Sequence, residues 1–232
     1  MRRTTPLARL QFALVTLSIL IRAYLPGTHA GTHPTVSCAV ETHPELQAAS
    51  EQLADAVGIG GVTIYVWDSE VPNMFVVGTP RHAEIVVSTA ALSVLSERET
   101  LATVGHELAH AKHNHVLSLG VLYLGSALLT VWVATAVAKR TGRLGGVGAG
   151  VVVGALSAVV SLALTRETER AADLSGGVAI GNGDALADAL VRVHSAGEDT
   201  RTDGYEPPER GLVSRVIATH PSVNERLAYL EE

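Results

Sequence analysis

Two histidines four residues apart enclose a glutamate in the run His106-Glu107-Leu108-Ala109-His110. On a helix, positions i and i+4 lie on one face, so His106 and His110 can direct two imidazoles toward one metal ion. Glu107 then lies beside them, where its carboxylate can take a proton from water that the metal activates. This pattern is typical of zinc hydrolases, in which two histidines bind zinc and the glutamate is the general base.

A tetrahedral zinc ion held by two histidines needs one further protein ligand, with water in the fourth position. The candidates are carboxylates or other histidines, because Cys38 is the only cysteine of the chain. The downstream run ETERAAD contains Glu169 and, one turn later on the same helical face, Asp173. With Glu169 as the ligand and Asp173 as the partner of one zinc histidine, preferably His106, both needs of such a site are met. In isolation, such an acidic pair is more often an exposed helix face.

Three segments in this order resemble the HtpX-type integral-membrane zinc metallopeptidases: HELAHAKHNH, TRETERAAD and ATHPSVNER. The CAAX prenyl endopeptidases are more distantly similar. The family's second motif has the form Ser-Arg-x-x-Glu-x-x-Ala-Asp, and only its first residue differs here, where Thr165 stands. The order of elements fits the family from about Pro44 to Leu230.

The resemblance implies a membrane-bound zinc metalloendopeptidase with one zinc ion per chain. Its ligands would be His106, His110 and Glu169, and Glu107 would be the general base. The expected activity is hydrolysis of peptide bonds in misfolded or membrane-proximal proteins, as in protein quality control. Two other classes stay open, namely a non-catalytic zinc-binding membrane protein used in sensing or assembly, and a zinc hydrolase of non-peptide bonds. The intact Glu107 favours catalysis, because structural zinc needs no base.

The same resemblance extends to residues on the substrate side. The segment Val71-Pro72-Asn73-Met74-Phe75 is similar to the family's Asn-Ala-Phe segment, so its last three residues are expected to bind the substrate backbone by strand addition. The segment Thr219-His220-Pro221-Ser222 resembles the family's His-Pro segment, although an isolated His-Pro is more often a turn at the start of a helix. His220 is then expected to donate a hydrogen bond to the oxyanion. Arg226 is expected to hold a substrate carbonyl or to brace the site.

His113 and His115 follow the zinc helix and resemble further ligands. The metzincin pattern that uses a third histidine also needs a glycine and a histidine further along, which this segment lacks. Both are therefore expected at the membrane interface.

Three apolar runs predict a membrane protein. The chain is 47% hydrophobic and only 17% charged, and its apolar residues are concentrated in these runs. Leu10–Ile21 is short for a span, so we interpret it as an uncleaved anchor or, alternatively, a signal-peptide core. Val116–Ala138 and Leu144–Leu164 carry no charge, and each is long enough to cross a bilayer. The alternative is a pair of buried core helices.

The two long runs are expected to form a transmembrane hairpin. Gly146, Gly150 and Gly154 are spaced for close helix approach. The basic loop 139–143 and the basic N-terminus should both lie on the cytoplasmic side, which places the catalytic parts on the extracytoplasmic side. HtpX proteins typically have two N-terminal spans and a cytoplasmic site, so the charges and the resemblance disagree on the side.

The predicted partners are polypeptide substrates and the lipid bilayer. A net charge of −6 without a long basic run argues against nucleic acid. The oligomeric state stays open.

The predicted fold class is α+β, a mostly helical zincin-like domain with a small β-sheet and a transmembrane hairpin between the two zinc motifs. Four parts are expected: 1–29, an anchor or signal sequence; 30–115, the first catalytic part; 116–164, the hairpin; and 165–232, the second catalytic part.

The expected elements are helices over Pro44–Val57 and from the capping box at Ser96, and further helices beginning near Thr165 and Asp184. A β-hairpin is expected from Val62–Trp67 and Met74–Val77, with a third strand at Glu84–Ser88.

Overall fold

Helices predominate in the residues that the computed structural model describes, namely 36–38, 43–179, 181, 183–199 and 223–230. The expected class, mostly helical with a small sheet, is confirmed. The described residues form two compact units, the first comprising 36–38, 43–114, 171–179, 181, 183–199 and 223–230, and the second residues 115–170. The predicted N-terminal anchor or signal sequence, 1–29, lies outside the described residues.

A four-stranded mixed sheet lies in the first unit, in the order β1-β2-β4-β3. Its strands are β1 (Val36–Cys38), β2 (Val62–Trp67), β3 (Met74–Thr79) and β4 (His82–Ser88). β4 pairs in parallel with β2 and antiparallel with β3. The predicted hairpin between β2 and β3 is therefore wrong, because β4 lies between them.

The physical reason is the composition of β4. Five of its seven residues are buried, as a central strand requires, and it begins two residues before the predicted third strand. The actual hairpin joins β3 to β4 through Pro80 and Arg81, which lack the Asn-Gly or Asp-Gly signal of such turns. Gly78 has a φ of +128°, and a Cβ there would collide with the His82 carbonyl oxygen, so the turn requires glycine.

Three helices of the first unit pack near the sheet: α1 (Pro44–Val57), α2 (Thr89–Val94) and α3 (Glu97–Lys112). The predicted helix α1 is confirmed, and it ends at Gly58 with a left-handed φ of +80°. α3 carries the two histidines of the HELAH run. Its predicted capping box is also confirmed: the Ser96 hydroxyl accepts from the Glu99 N–H, and the Glu99 carboxylate accepts from the Ser96 N–H at 2.7 Å.

The apolar face of α3 packs into the first unit. Val104, Leu108 and Ala111 are buried as predicted, whereas Leu101 is half-buried. Two later helices follow Gly181: α6 (Gly183–Asp199) and α7 (Val223–Leu230). They join α3 in one apolar cluster, made of Ala102, Ala185, Leu186, Leu190 and Leu230.

The second unit contains α4 (His115–Thr141) and the first part of α5 (Arg143–Ala179). A separate helix was expected from Thr165, but α5 runs without a break from Arg143 to Ala179. No proline interrupts the run TRETERAAD, and the Thr165 hydroxyl donates to the Ser161 carbonyl one turn back instead of ending the helix.

α4 and α5 are long and apolar enough to cross a membrane. Large apolar side chains on both are exposed, including Trp132 at 67% and Leu144 at 89%. The alternative of two buried core helices therefore does not hold. A contiguous apolar surface of this extent is what a bilayer covers.

The hairpin glycines bring α4 and α5 together as predicted. A Cβ on Gly146 would lie 2.5 Å from the Ala138 Cβ, and a Cβ on Gly150 3.2 Å from the Ala134 Cβ. Further along, the hydroxyls of Tyr123 and Thr165 are 3.0 Å apart.

Candidate metal centre

His106 and His110 face one point from successive turns of α3. Their Nε2 atoms are 3.1 Å apart, and the rings are nearly perpendicular, at 77°. In a tetrahedral zinc site with Zn–N bonds of 2.0–2.1 Å, two ligand nitrogens are about 3.3 Å apart. The two imidazoles therefore already stand at the separation that a shared zinc ion requires.

Glu169, on α5, completes a buried group of three possible ligands. One ligand atom from each of His106, His110 and Glu169 lies within 4.8 Å of the others, and the exposed fractions of the three residues are 6%, 9% and 6%. Two imidazoles and a carboxylate are a donor set that suits zinc and leaves one position open. The residues thus fit the metal that the sequence predicts.

Asp173 lies behind this group, against His106. Its Oδ1 is 2.8 Å from Nδ1 of His106, on the side of the ring that faces away from His110. A carboxylate at this nitrogen assigns the ring proton to Nδ1, so that Nε2 presents a lone pair. The structure therefore brings Asp173 to the histidine that the sequence favours for it.

Arg226, on α7, forms two hydrogen bonds with the same carboxylate. Its Nε donates to Oδ2 of Asp173 at 2.7 Å, and its Nη2 donates to Oδ1. Of the two roles considered for Arg226, this contact corresponds to bracing the site.

The contacts of Asp173 favour its ionised form. Burial raises the pKa of Asp173, but hydrogen bonds from His106 and Arg226, together with their charges, outweigh burial and hold the pKa well below its usual range. The group lies nine residues beyond the apolar run that ends at Leu164.

Glu107 lies between the two histidines in α3 and is half-buried. Its position leaves the carboxylate partly exposed, so water can reach it. This combination suits a group that must exchange protons during a reaction.

The N-terminal end of α3 is held by a contact that the sequence did not reveal. Nε of Arg192, on α6, donates to Oε1 of the buried Glu99 at 2.6 Å. Burial raises the pKa of Glu99, but hydrogen bonds from Ser96 and Arg192 and the Arg192 charge hold it below its ordinary value. The partners are 93 residues apart, so no local pattern could have indicated the pair.

The expected substrate-binding segment lies at one edge of the sheet. Met74 and Phe75 begin β3, which packs against α3, and Asn73 precedes it. The Ser88 N–H donates to the Asn73 carbonyl at 2.9 Å, so Asn73 and Phe75 turn their backbone groups toward β4. The backbone groups of Met74 then point away from the sheet.

Two further histidines that follow the zinc motif, His113 and His115, do not join this group. His220 and the segment Thr219-His220-Pro221-Ser222 lie outside the described residues. His113 ends α3 and is exposed, whereas His115 begins α4 and is buried. Neither belongs to the ligand group that the described residues form.

A sequence model described as peptidase family M48 matches residues 41–232. The chain belongs to peptidase family M48. M48 peptidases are metal-dependent, and the buried group of His106, His110 and Glu169 can bind a metal ion. The family resemblance stated from the motifs is confirmed.

Curated relatives of this M48 peptidase include proteins named "Protease HtpX homolog". The protein from Ralstonia nicotianae is 29% identical over 210 residues, covering 82% of this chain and 73% of its own length. The protein from Burkholderia thailandensis is 31% identical over 212 residues, which cover 82% of this chain and 74% of its own length. These relatives support a membrane protease.

A solved structure of similar fold is that of S. mikatae Ste24p. The TM-score is 0.61 at 17% sequence identity, and the match covers 95% of this chain. This chain spans 56% of the length of that protein. The M48 peptidase therefore shares the fold of a considerably longer chain.

Proposed function

We propose that this M48 peptidase is a zinc-dependent metalloendopeptidase with one zinc ion per chain, bound by His106, His110 and Glu169. The observation that carries the proposal is the buried convergence of these three side chains, with two ring nitrogens 3.1 Å apart. A His-His-Glu set with an open fourth position is typical of catalytic rather than structural zinc.

His106, His110 and Glu169 would hold the zinc ion, which would lower the pKa of water and polarise the scissile carbonyl. Glu107 accepts the proton of the attacking water and delivers it to the leaving amine. Its half-buried side chain leaves the carboxylate within reach of water. His220 donates a hydrogen bond to the oxyanion, a role that rests on the motif resemblance alone.

Asp173 and Arg226 support the ligands. Asp173 keeps the proton of His106 on Nδ1, so that Nε2 is available to the metal in every turnover. Arg226 holds both carboxylate oxygens of Asp173 and thereby fixes its orientation. Such outer partners typically change metal affinity by about 10–100-fold.

Substrate binds as an additional strand beside β3. The exposed edge of the sheet offers the backbone groups of Met74, while Asn73 and Phe75 are paired with β4. Backbone pairing gives affinity with little dependence on side chains, which suits unfolded polypeptides. The two exposed apolar helices favour misfolded or membrane-proximal proteins as substrates.

Cleavage of an unfolded protein tests this function. The protein is purified in detergent with zinc beside Glu107→Gln, and hydrolysis of casein is followed. We expect cleavage by the parent and its loss in the variant, with zinc retained by both. If both are inactive and both retain zinc, the alternative of a non-catalytic zinc-binding membrane protein is favoured instead.

A further inference from the structure

Two glycines lie where α5 and α3 approach each other closely. Gly105 immediately precedes His106 in α3, and Gly176 follows Asp173 by three residues in α5. Both are buried. A Cβ on Gly176 would lie 2.7 Å from the backbone nitrogen of His106 and 2.8 Å from its Cα. Because these neighbours are backbone atoms, no change of side-chain rotamer can relieve such a contact.

Gly176 shares a helical face with the acidic residues of the site. Glu169, Asp173 and Gly176 follow the spacing i, i+4, i+7, which keeps them on one side of α5. The distance between the two backbones at Gly176 therefore influences how far the side chain of Asp173 must reach toward α3.

The side chain of Asp173 is short, so its distance from His106 depends directly on the position of the α5 backbone. Its contact with Nδ1 of His106 is 2.8 Å, and hydrogen bonds weaken beyond about 3.2 Å. A backbone displacement of roughly 0.5 Å, as needed to accommodate a methyl group, is enough to weaken this contact.

We propose that Gly176 is a positioning residue of the metal centre. Its lack of a side chain allows α5 to approach His106 closely enough for Asp173 to hold the imidazole in its metal-binding orientation. This inference rests on the metal site of the proposed function and adds a residue that no ligand pattern contains.

The chain provides a graded series of variants. A Cβ on Gly105 would lie 3.3 Å from the Gly176 carbonyl oxygen, a milder contact from the other side of the same approach. Gly148 lies in the same helix as Gly176, and a Cβ there would have no heavy atom within 4 Å. Gly148→Ala is therefore the matched control for helix propensity, which alone favours alanine.

Metal affinity of the metal-stripped protein is the test. Gly176→Ala, Gly105→Ala and Gly148→Ala are titrated with Zn²⁺ against a competing chelator, and with Co²⁺ for its absorption spectrum. We expect Gly176→Ala to bind about 10–100-fold more weakly, with an altered Co²⁺ spectrum. The Zn²⁺ affinity of Gly105→Ala should fall by a smaller factor. The affinity of Gly148→Ala should equal that of the parent. Thermal unfolding without metal identifies variants that do not fold.

A folded Gly176→Ala protein with the parent's affinity and Co²⁺ spectrum overturns the inference. If Gly176→Ala does not fold, Gly105→Ala decides, because weaker binding supports the inference and unchanged binding overturns it. A parent that binds no metal overturns the proposed function, and this inference with it. The failures of the two proposals are thus distinguishable.

Discussion

Asp173 is completely buried, and two partners, His106 and Arg226, stabilise its charge there. A buried carboxylate without such partners costs several kcal/mol. Arg226 pairs with both carboxylate oxygens, and His106 contacts one of them. The same contacts that stabilise the charge also fix the histidine tautomer, so the stability of the fold and the orientation of His106 depend on one group.

Replacing Arg226 should reveal this dependence. Arg226→Ala leaves Asp173 buried without its main cation, which we expect to cost about 3 kcal/mol of folding free energy. For a domain of this size, that corresponds to a Tm about 6–12 °C lower, measured in the metal-free protein. Arg226→Lys keeps the charge and loses the paired geometry, so its Tm should fall less. A Tm of Arg226→Ala equal to that of the parent would show that Asp173 needs no arginine.

The convergence of His106 and His110 was predictable because helical spacing alone brings the two side chains together. The contact of Asp173 with His106 followed from the general need of a zinc histidine for a carboxylate. Arg226 was predictable only as a residue near the site. Its pairing with Asp173 joins groups 53 residues apart, and only the packing of α7 decides it.

At the level of elements, α3 is held at its N-terminal end, by the capping box and Arg192, as well as near its two histidines, where Asp173 contacts His106. Ser96 and Glu99 cap each other, and Arg192 ties the capping carboxylate to α6. A helix held in this way keeps the two histidines in place before any metal binds.

The stability of this cap should depend on pH. The pKa of Glu99 is lower in the folded protein than its ordinary value of 4.5, so the ionised carboxylate stabilises the fold above pH 4.5. This contribution is lost as the pH falls below 4.5 through the folded pKa. We expect Glu99→Gln to lower the Tm by about 2–4 °C at pH 7, equivalent to about 1 kcal/mol, and by progressively less below pH 4.5.

Glu97→Gln is the matched control for Glu99, because Glu97 is exposed in the same first turn. It should change the Tm little at either pH. An equal effect of both substitutions would mean that only the charge near the helix end matters, and would contradict the contact with Arg192.

Element boundaries were predictable where local signals are strong. Pro44 and Gly58 mark α1, and the capping box marks α3. The order of the strands was not predictable, because in a mixed sheet it depends on which strand is buried on both faces. In addition, the Pro80-Arg81 turn carries no hairpin signal. The unbroken α5 was missed because the change from apolar to charged sequence was interpreted as a boundary between helices.

On the scale of the whole molecule, the exposed apolar surface of α4 and of α5 up to Leu164 fits helices that lie in a bilayer. Gly142 joins the two helices beside Lys139, Arg140 and Arg143. Basic connections of this kind favour the cytoplasmic side. We therefore propose that the catalytic residues lie on the extracytoplasmic side.

Cysteine labelling in intact cells tests on which side of the membrane the catalytic residues lie. In a Cys38→Ser background, single cysteines are placed at the exposed Asp55 of α1 or at Thr141 of the loop. We expect a membrane-impermeant maleimide to label Asp55→Cys from outside and Thr141→Cys only after the membrane is opened. The reverse pattern would place the catalytic part in the cytoplasm, as is typical of HtpX proteins.

Zinc K-edge X-ray absorption of the zinc-loaded protein tests the central claim most directly. The account predicts one zinc ion per chain, with only nitrogen and oxygen ligands at about 2.0–2.2 Å and the scattering of two imidazoles. Glu107→Gln should keep this spectrum, and His110→Ala should lose the ion. A sulfur ligand, a spectrum with no imidazole, or zinc retained unchanged in His110→Ala would contradict the account.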